Sequence, residues 1–254
     1  MIRRIAPLLA ALLVAASLAA SPVGGPTAAQ AADPSLPLAG IVIAIDPGHD
    51  GGNASHPAAI RKRVFIGNGW KACNTVGTAA RGGYSEHAFN WSVALRLRKK
   101  LVALGATVAM TRTSDTGVGP CVNVRGKFGA KVHANLMISI HGNGAASADH
   151  GFFVMRPGLI AGYTDDILAG SYRLAKAVRG GLAGAGIPVA NYYATNGIKV
   201  RRDLGTLNMS NVPVVMVELG NMKNASDARR MTSSAGRTTY AAGLVAGIRA
   251  YLGR

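Results

Sequence analysis

Three stretches of this 254-residue chain are apolar at consecutive positions rather than alternate ones: Ile41–Asp46 (IVIAID), Leu136–Ile140 (LMISI) and Val214–Val217 (VVMV). A strand with one face in water alternates apolar and polar residues, whereas a strand apolar throughout has both faces covered. Between the runs, apolar residues recur at helical spacing. Phe89, Val93, Leu97 and Leu101 follow Ser85, a capping type, and Gly105 ends the pattern. Such alternation specifies the α/β class, a three-layer αβα sandwich around a mostly parallel, twisted sheet of about six strands. Further strands are expected at Thr107–Thr111 and Phe152–Met155, with two short ones within Tyr192–Leu207. Helices are expected at Val122–His133, from Asp165 or Asp166 through Leu182, at Asp227–Met231 and at Thr239–Leu252. Asp50–Tyr84, rich in Gly and Asn, reads as a long loop, and loops of that length are usually functional.

The first residues read as a secretory signal peptide, 1–31, followed by a short linker, 32–40, and one domain, 41–254. Arg3 and Arg4 precede the apolar run Ile5–Ala20, and Ala29-Gln30-Ala31 suits a cleavage site. The run is shorter than the ~20 residues that span a bilayer, and no later segment is long enough, so no transmembrane anchor is expected after cleavage. Hydrophobic residues make up 49% of the chain, enough for a packed core, which excludes a disordered protein. The net charge is +17, and it comes from scarce acids: 11 in all, of which only Glu86 and Glu218 are Glu. On an exported chain this charge argues against nucleic acid and for an anionic envelope polymer as partner, or for a solvated surface with none. Export also meets an oxidising compartment, so Cys73 and Cys121, the only two cysteines, read as one disulfide, with two buried thiols as the alternative.

Polar residues gather where the apolar runs end. The first run leads to His49 through D-P-G-H, the second to His141 in S-I-H-G-N, and the third to Glu218 in V-E-L-G-N. Ligands of open α/β sheets bind beyond the carboxyl ends of the strands. Glu86 falls in the first turn of the helix after the long loop. Two imidazoles and a carboxylate make a three-donor set for one zinc ion with a fourth position open, leaving Glu218 as an acid beside it. Their spacings match no local zinc signature, and each His also has an ordinary reading as a hydrogen-bonded loop residue. Asp46 suits either a partner behind His49 or a strand-end cap, and Asn143 either a substrate contact or a turn-capping amide. His56, His87, His133 and His150 read as surface or structural.

These motifs together resemble the zinc-dependent N-acetylmuramoyl-L-alanine amidases of bacterial cell walls, the amidase-3 type. The matching residues are Ile45–His49, Glu86 with Asn90 and Leu97, Thr111-Arg112, Arg125, Ser139–Asn143, Pro213–Gly220 and Asn224. The sequence departs from the family at Asn221, where an aromatic is common, and at Gly129-Ala130. The resemblance implies that His49, Glu86 and His141 bind zinc and that Glu218 is the general base and acid. The nucleophile is then a water activated by the zinc. The bond cut joins the N-acetylmuramic acid lactyl group to L-alanine in peptidoglycan. Asp46, Asn143 and Arg125 are further candidates, for supporting the ligands or holding substrate. Two rivals stand beside this reading: a zinc hydrolase cutting within the wall peptides, and a non-catalytic wall-binding protein on the same scaffold. Some division-related members carry a plug helix with a glutamate between the second His and the catalytic Glu. The stretch Gly142–Val217 contains no Glu, so an open site on a secreted monomer is expected.

Overall fold

The computed structural model describes residues 34–254; the expected signal peptide lies outside them. The chain runs β1 (Val42–Pro47), α1 (Pro57–Arg61), β2 (Arg63–Phe65), β3 (Trp70–Ala72), α2 (Glu86–Ala103), β4 (Thr107–Met110), α3 (Val122–Lys131) and β5 (Leu136–Asn143). It continues through β6 (Phe153–Pro157), α4 (Leu168–Gly184), β7 (Ile198–Arg201), α5 (Gly205–Asn208), β8 (Val214–Asn221), α6 (Ala225–Thr232) and α7 (Ser234–Leu252). Six strands form one sheet in the order β4-β1-β5-β8-β6-β7. All neighbours are parallel except β6 and β8.

The consecutive apolar runs are explained by two cores. Ile43, Ile45, Ile138, Ile140, Val215 and Val217 face the long helices α2, α4 and α7. The residues between them, Ala44, Met137, Val214 and Met216, enter a smaller cluster with Leu207 and Phe153, beneath α3 and α5. Side-chain period 2 therefore carries Ala44 on to Asp46, Met137 to Ser139 and His141, and Met216 to Glu218 along the thinly covered face. Among the described residues no helix is long and apolar enough to cross a membrane.

Several boundaries differ from the sequence expectation. β5 and β8 run past their apolar cores because the ladder continues through His141 opposite Glu218; polarity on one face does not end pairing. The long loop contains α1, begun by Pro57, and the β2–β3 hairpin, closed by a turn at Gly67–Gly69. The segment Tyr192–Leu207 holds one strand and one short helix, its start broken by positive φ at Tyr193 and Asn196. Asp165 and Asp166 do not open α4, which begins at Leu168; the Asp165 carboxylate accepts from the Gly162 amide in the preceding turn. Ser85 occupies the cap position of α2 without a side-chain cap bond; the Glu86 amide donates to Thr78 O instead. α7 starts at Ser234, where Ser233 Oγ accepts from the Gly236 amide. Cys73 and Cys121 are bonded and close a 48-residue separation, worth roughly 4 kcal/mol in the chain-entropy account.

Beneath the end of β1 lies a fully buried ion pair. Arg125 Nη1 of α3 donates to Asp46 Oδ1 at 2.6 Å, and the hydroxyls of Thr111 and Ser139 donate to the same carboxylate at 2.6 and 2.7 Å. Burial pushes the Asp46 carboxyl up, but Arg125 and then the two hydroxyls outweigh it and hold it below its ordinary value. A carboxyl depressed in the folded state stabilises the fold above its unfolded pKa of about 3.9, and that stability is lost as pH falls through the folded value. Asp46→Asn should therefore cost about 3–5 kcal/mol at neutral pH by leaving Arg125 unpaired. The gap between variant and parent in urea midpoints should shrink below about pH 4. An equal gap at neutral and strongly acidic pH would contradict an ionised pair.

Candidate metal centre

β1 ends in a turn that places His49 in an unusual conformation. Its φ is 59°, the left-handed region that costs a non-glycine residue about 1 kcal/mol or more. Two guanidinium groups hold the turn from below. Arg125 donates to Pro47 O at 2.9 Å and to His49 O at 2.8 Å, and Arg112 Nε donates to Pro47 O at 3.0 Å. Gly48 has no side chain because the His141 ring occupies the place its Cβ would take.

The turn, the start of α2 and the end of β5 converge. Glu86 Oε1 lies 3.0 Å from His49 Nε2 and 3.0 Å from His141 Nδ1, and the two rings meet edge to face with centroids 5.0 Å apart. One ligand atom from each of the three residues lies within 4.8 Å of the others. The His49 Nδ1 contacts Thr75 O at 3.0 Å. A carbonyl can only accept, so Nδ1 carries hydrogen, and neutral His49 turns the lone pair of Nε2 toward a carboxylate oxygen. Two acceptors at 3.0 Å repel unless a proton or a cation lies with them. The electrostatics agree. Burial opposes charge on both groups, yet Glu86 raises the His49 pKa, and His49 with His141 holds the Glu86 carboxyl well below its ordinary value. The N-terminus of α2 favours the same anion. Two imidazole nitrogens and one carboxylate oxygen that together call for positive charge fit zinc.

Glu218 sits across the ladder from His141. Its Oε2 is shut off from solvent and has no hydrogen-bond partner. Burial, then the negative charge of Glu86, pushes its carboxyl well above the ordinary range, against the opposing effect of Arg201. Burial disfavours the charged form of such a carboxyl, which suits it to hold a proton between two transfers.

These residues form the floor of a cleft of about 870 Å³. Another wall is built by the hairpin, with Arg63, Trp70 and Lys71, and by Arg201 at the end of β7 with Asp203 just after it. Lys71 Nζ and the Arg201 guanidinium both bond Asp203, joining the two parts. Asn143 lines the cleft, donates to the Tyr192 hydroxyl at 2.8 Å and accepts from the Gly144 amide at 2.8 Å. Asp46 and Arg125 do not line it; they support the turn from within. His87 pairs with Asp115 at 3.0 Å, outside the donor set. Thr75, Thr78 and the hairpin residues escaped sequence reading, beyond the signal that a long loop there has a function.

A family model described as N-acetylmuramoyl-L-alanine amidase matches residues 43–250. The chain is 41% identical over 219 residues to N-acetylmuramoyl-L-alanine amidase Rv3717 of Mycobacterium tuberculosis, covering 85% of this chain and 88% of that protein. It is similar in structure to the N-acetylmuramyl-L-alanine amidase Ami1 of Mycobacterium abscessus, with TM-score 0.79 and 41% identity over 84% of this chain and 99% of that one. Ami1 of Mycobacterium smegmatis gives TM-score 0.80 and 38% identity over 84% of this chain and 97% of that one.

The geometry predicts about one zinc per chain after loading and desalting, measured by elemental analysis. His141→Ala should fall to background, while Glu218→Gln should retain the metal. Full zinc content in His141→Ala would remove that residue from the donor set.

Proposed function

The chain belongs to the N-acetylmuramoyl-L-alanine amidase family, and from that premise we propose that His49, Glu86 and His141 hold one zinc ion beside Glu218, the general base and acid. The protein is a peptidoglycan amidase, hydrolysing the amide between the lactyl group of N-acetylmuramic acid and L-alanine. The observation that carries the site assignment is the convergence of three donor atoms beside a buried carboxylate oxygen without a partner.

When bound, zinc supplies a Lewis acid that acidifies water and polarises an amide carbonyl. The protein does the rest. His49, Glu86 and His141 would hold the zinc from the turn, the helix and the strand, at the floor of the cleft that receives substrate. Glu218 takes the proton of the attacking water and returns it to the departing alanine nitrogen; burial, which disfavours its charged form, suits it to hold that proton between the two transfers. Asn143 lines the cleft wall and would meet substrate there, although its Oδ1 caps the turn at Gly144 and its Nδ2 is bonded to Tyr192. Arg125 and Asp46 keep His49 in position from behind.

The segment between His141 and Glu218 contributes one acid to the cleft wall, Asp203, and that acid is engaged by Arg201 and Lys71. We read the site as open and the chain as a monomer that needs no activator. Export fits the leader-like residues 1–31, and the basic surface suits anionic wall polymers.

Mass spectrometry of digested peptidoglycan should find intact stem peptides with a free N-terminal alanine. Cleavage within the peptides would replace the amidase assignment with the endopeptidase one. Glu218→Gln should lower kcat/KM by about 10²-fold or more with zinc retained; near-parental turnover would refute its role. The zinc-loaded chain should also cleave a soluble muropeptide alone, and inertness until another protein is added would contradict the open site.

A further inference from the structure

Two of the three donors are oriented by one short strap, Thr75–Thr78, which belongs to no helix or strand. Thr75 O accepts from His49 Nδ1 at 3.0 Å and from Asn53 Nδ2 at 2.9 Å. The Thr78 amide donates to Glu86 Oε2 at 2.9 Å, and Thr78 O accepts from the Glu86 amide at 2.8 Å. Between them Gly77 has φ +87°. A Cβ there would lie 2.8 Å from Glu86 Oε2 and 2.9 Å from His49 Cδ2, so the backbone is laid directly against both ligands. Val76 is 45% exposed, so the strap has little packing of its own to hold it.

Its anchor is the disulfide. Cys73 is two residues before Thr75 and is bonded to Cys121. Two contacts around the bond join the same two segments, and a third ties the second segment to Asn53, which also holds Thr75. The Val122 amide donates to Cys73 O at 2.8 Å, Asn74 Nδ2 donates to Pro120 O at 3.0 Å, and the Gly119 amide donates to Asn53 Oδ1 at 3.1 Å. Cys121 is also the cap residue of α3, the helix whose Arg125 holds the backbone of His49. The crosslink thus ties the strap that aims the His49 ring to the helix that fixes the His49 main chain.

We infer that the Cys73–Cys121 disulfide preorganises the zinc centre: by fixing the Thr75–Thr78 strap it sets the His49 ring and the Glu86 carboxylate in their binding orientation. The cysteines are positioning residues and touch neither metal nor substrate. This rests on His49, Glu86 and His141 being the zinc ligands. Loss of the outer hydrogen-bond partners of metal ligands lowers metal affinity about 10–100-fold, and freeing the strap loosens one such partner on each of two ligands.

The test is the zinc dissociation constant from chelator competition, read alongside far-UV circular dichroism and the metal-free unfolding midpoint. Both cysteines are replaced together, as C73S/C121S, so that no odd thiol remains to bind zinc. The folded double variant should bind zinc about 10-fold or more weakly. In the disulfide-intact chain, Gly77→Ala should weaken zinc too, because its Cβ would press on Glu86 and His49 from the strap. If C73S/C121S does not fold, the parent chain with its disulfide reduced and both thiols capped by methylthiolation is read by the same competition in its place. Parental zinc affinity in the folded double variant, or in the reduced and capped chain, would overturn the inference. The two readings separate in the parent protein. If it binds no zinc that His141→Ala abolishes, the ligand assignment fails; if it does and the disulfide-free forms bind equally well, only the role of the disulfide fails.

Discussion

The buried pair of Asp46 and Arg125 is the interaction on which the site depends. It joins the end of β1 to α3, and its hydrogen bonds reach Thr111 after β4 and Ser139 in β5. Once paired, the Arg125 guanidinium has donors left for the carbonyls of Pro47 and His49. Those bonds hold the turn in a backbone conformation that His49 would not choose by itself. Buried ion pairs are often no better for stability than apolar packing. Here the pair has a second product, the fixed direction of one imidazole.

Charge is arranged in opposition on the two sides of that turn. Below it the carboxylate has its cation. Above it Glu86 faces two imidazoles, and Glu218 has no cation in contact with its inner oxygen. A low-dielectric site that leaves negative charge uncompensated favours any cation whose geometry fits the donors. Burial, and then the charge of Glu86, raises the Glu218 carboxyl in the same pocket. Two carboxylates thus share one pocket in different surroundings, Glu86 against two imidazoles and Glu218 with an inner oxygen that has no partner.

The layer asymmetry of the fold gives this pocket its access. Long helices α2, α4 and α7 seal one face of the sheet, while α3, α5 and the β2–β3 hairpin only partly cover the other. Rows that begin in the smaller core as Ala44, Met137 and Met216 emerge from it as Asp46, His141 and Glu218. The polar site is a continuation of the core pattern past the point where apolar cover ends.

Much of this was legible in the chain itself. Consecutive apolar runs require strands covered on both faces, so the sheet, its parallel character and its helical layers followed from residue order. Polar residues at the ends of those runs marked where chemistry would gather, and the scarcity of Glu drew attention to Glu86 and Glu218. These features are local, or periodic over a few residues, and periodicity survives in one dimension. Tertiary structure alone decided what long-range register controls. It set His141 opposite Glu218, turned Arg125 inward to Asp46, and built a hairpin wall inside a segment that reads as loop. It also laid Thr75 and Thr78 against His49 and Glu86 through backbone atoms, which every residue type shares. Contacts made by main-chain carbonyls and amides leave no mark in the identity of side chains, so no reading of residue types could have found them.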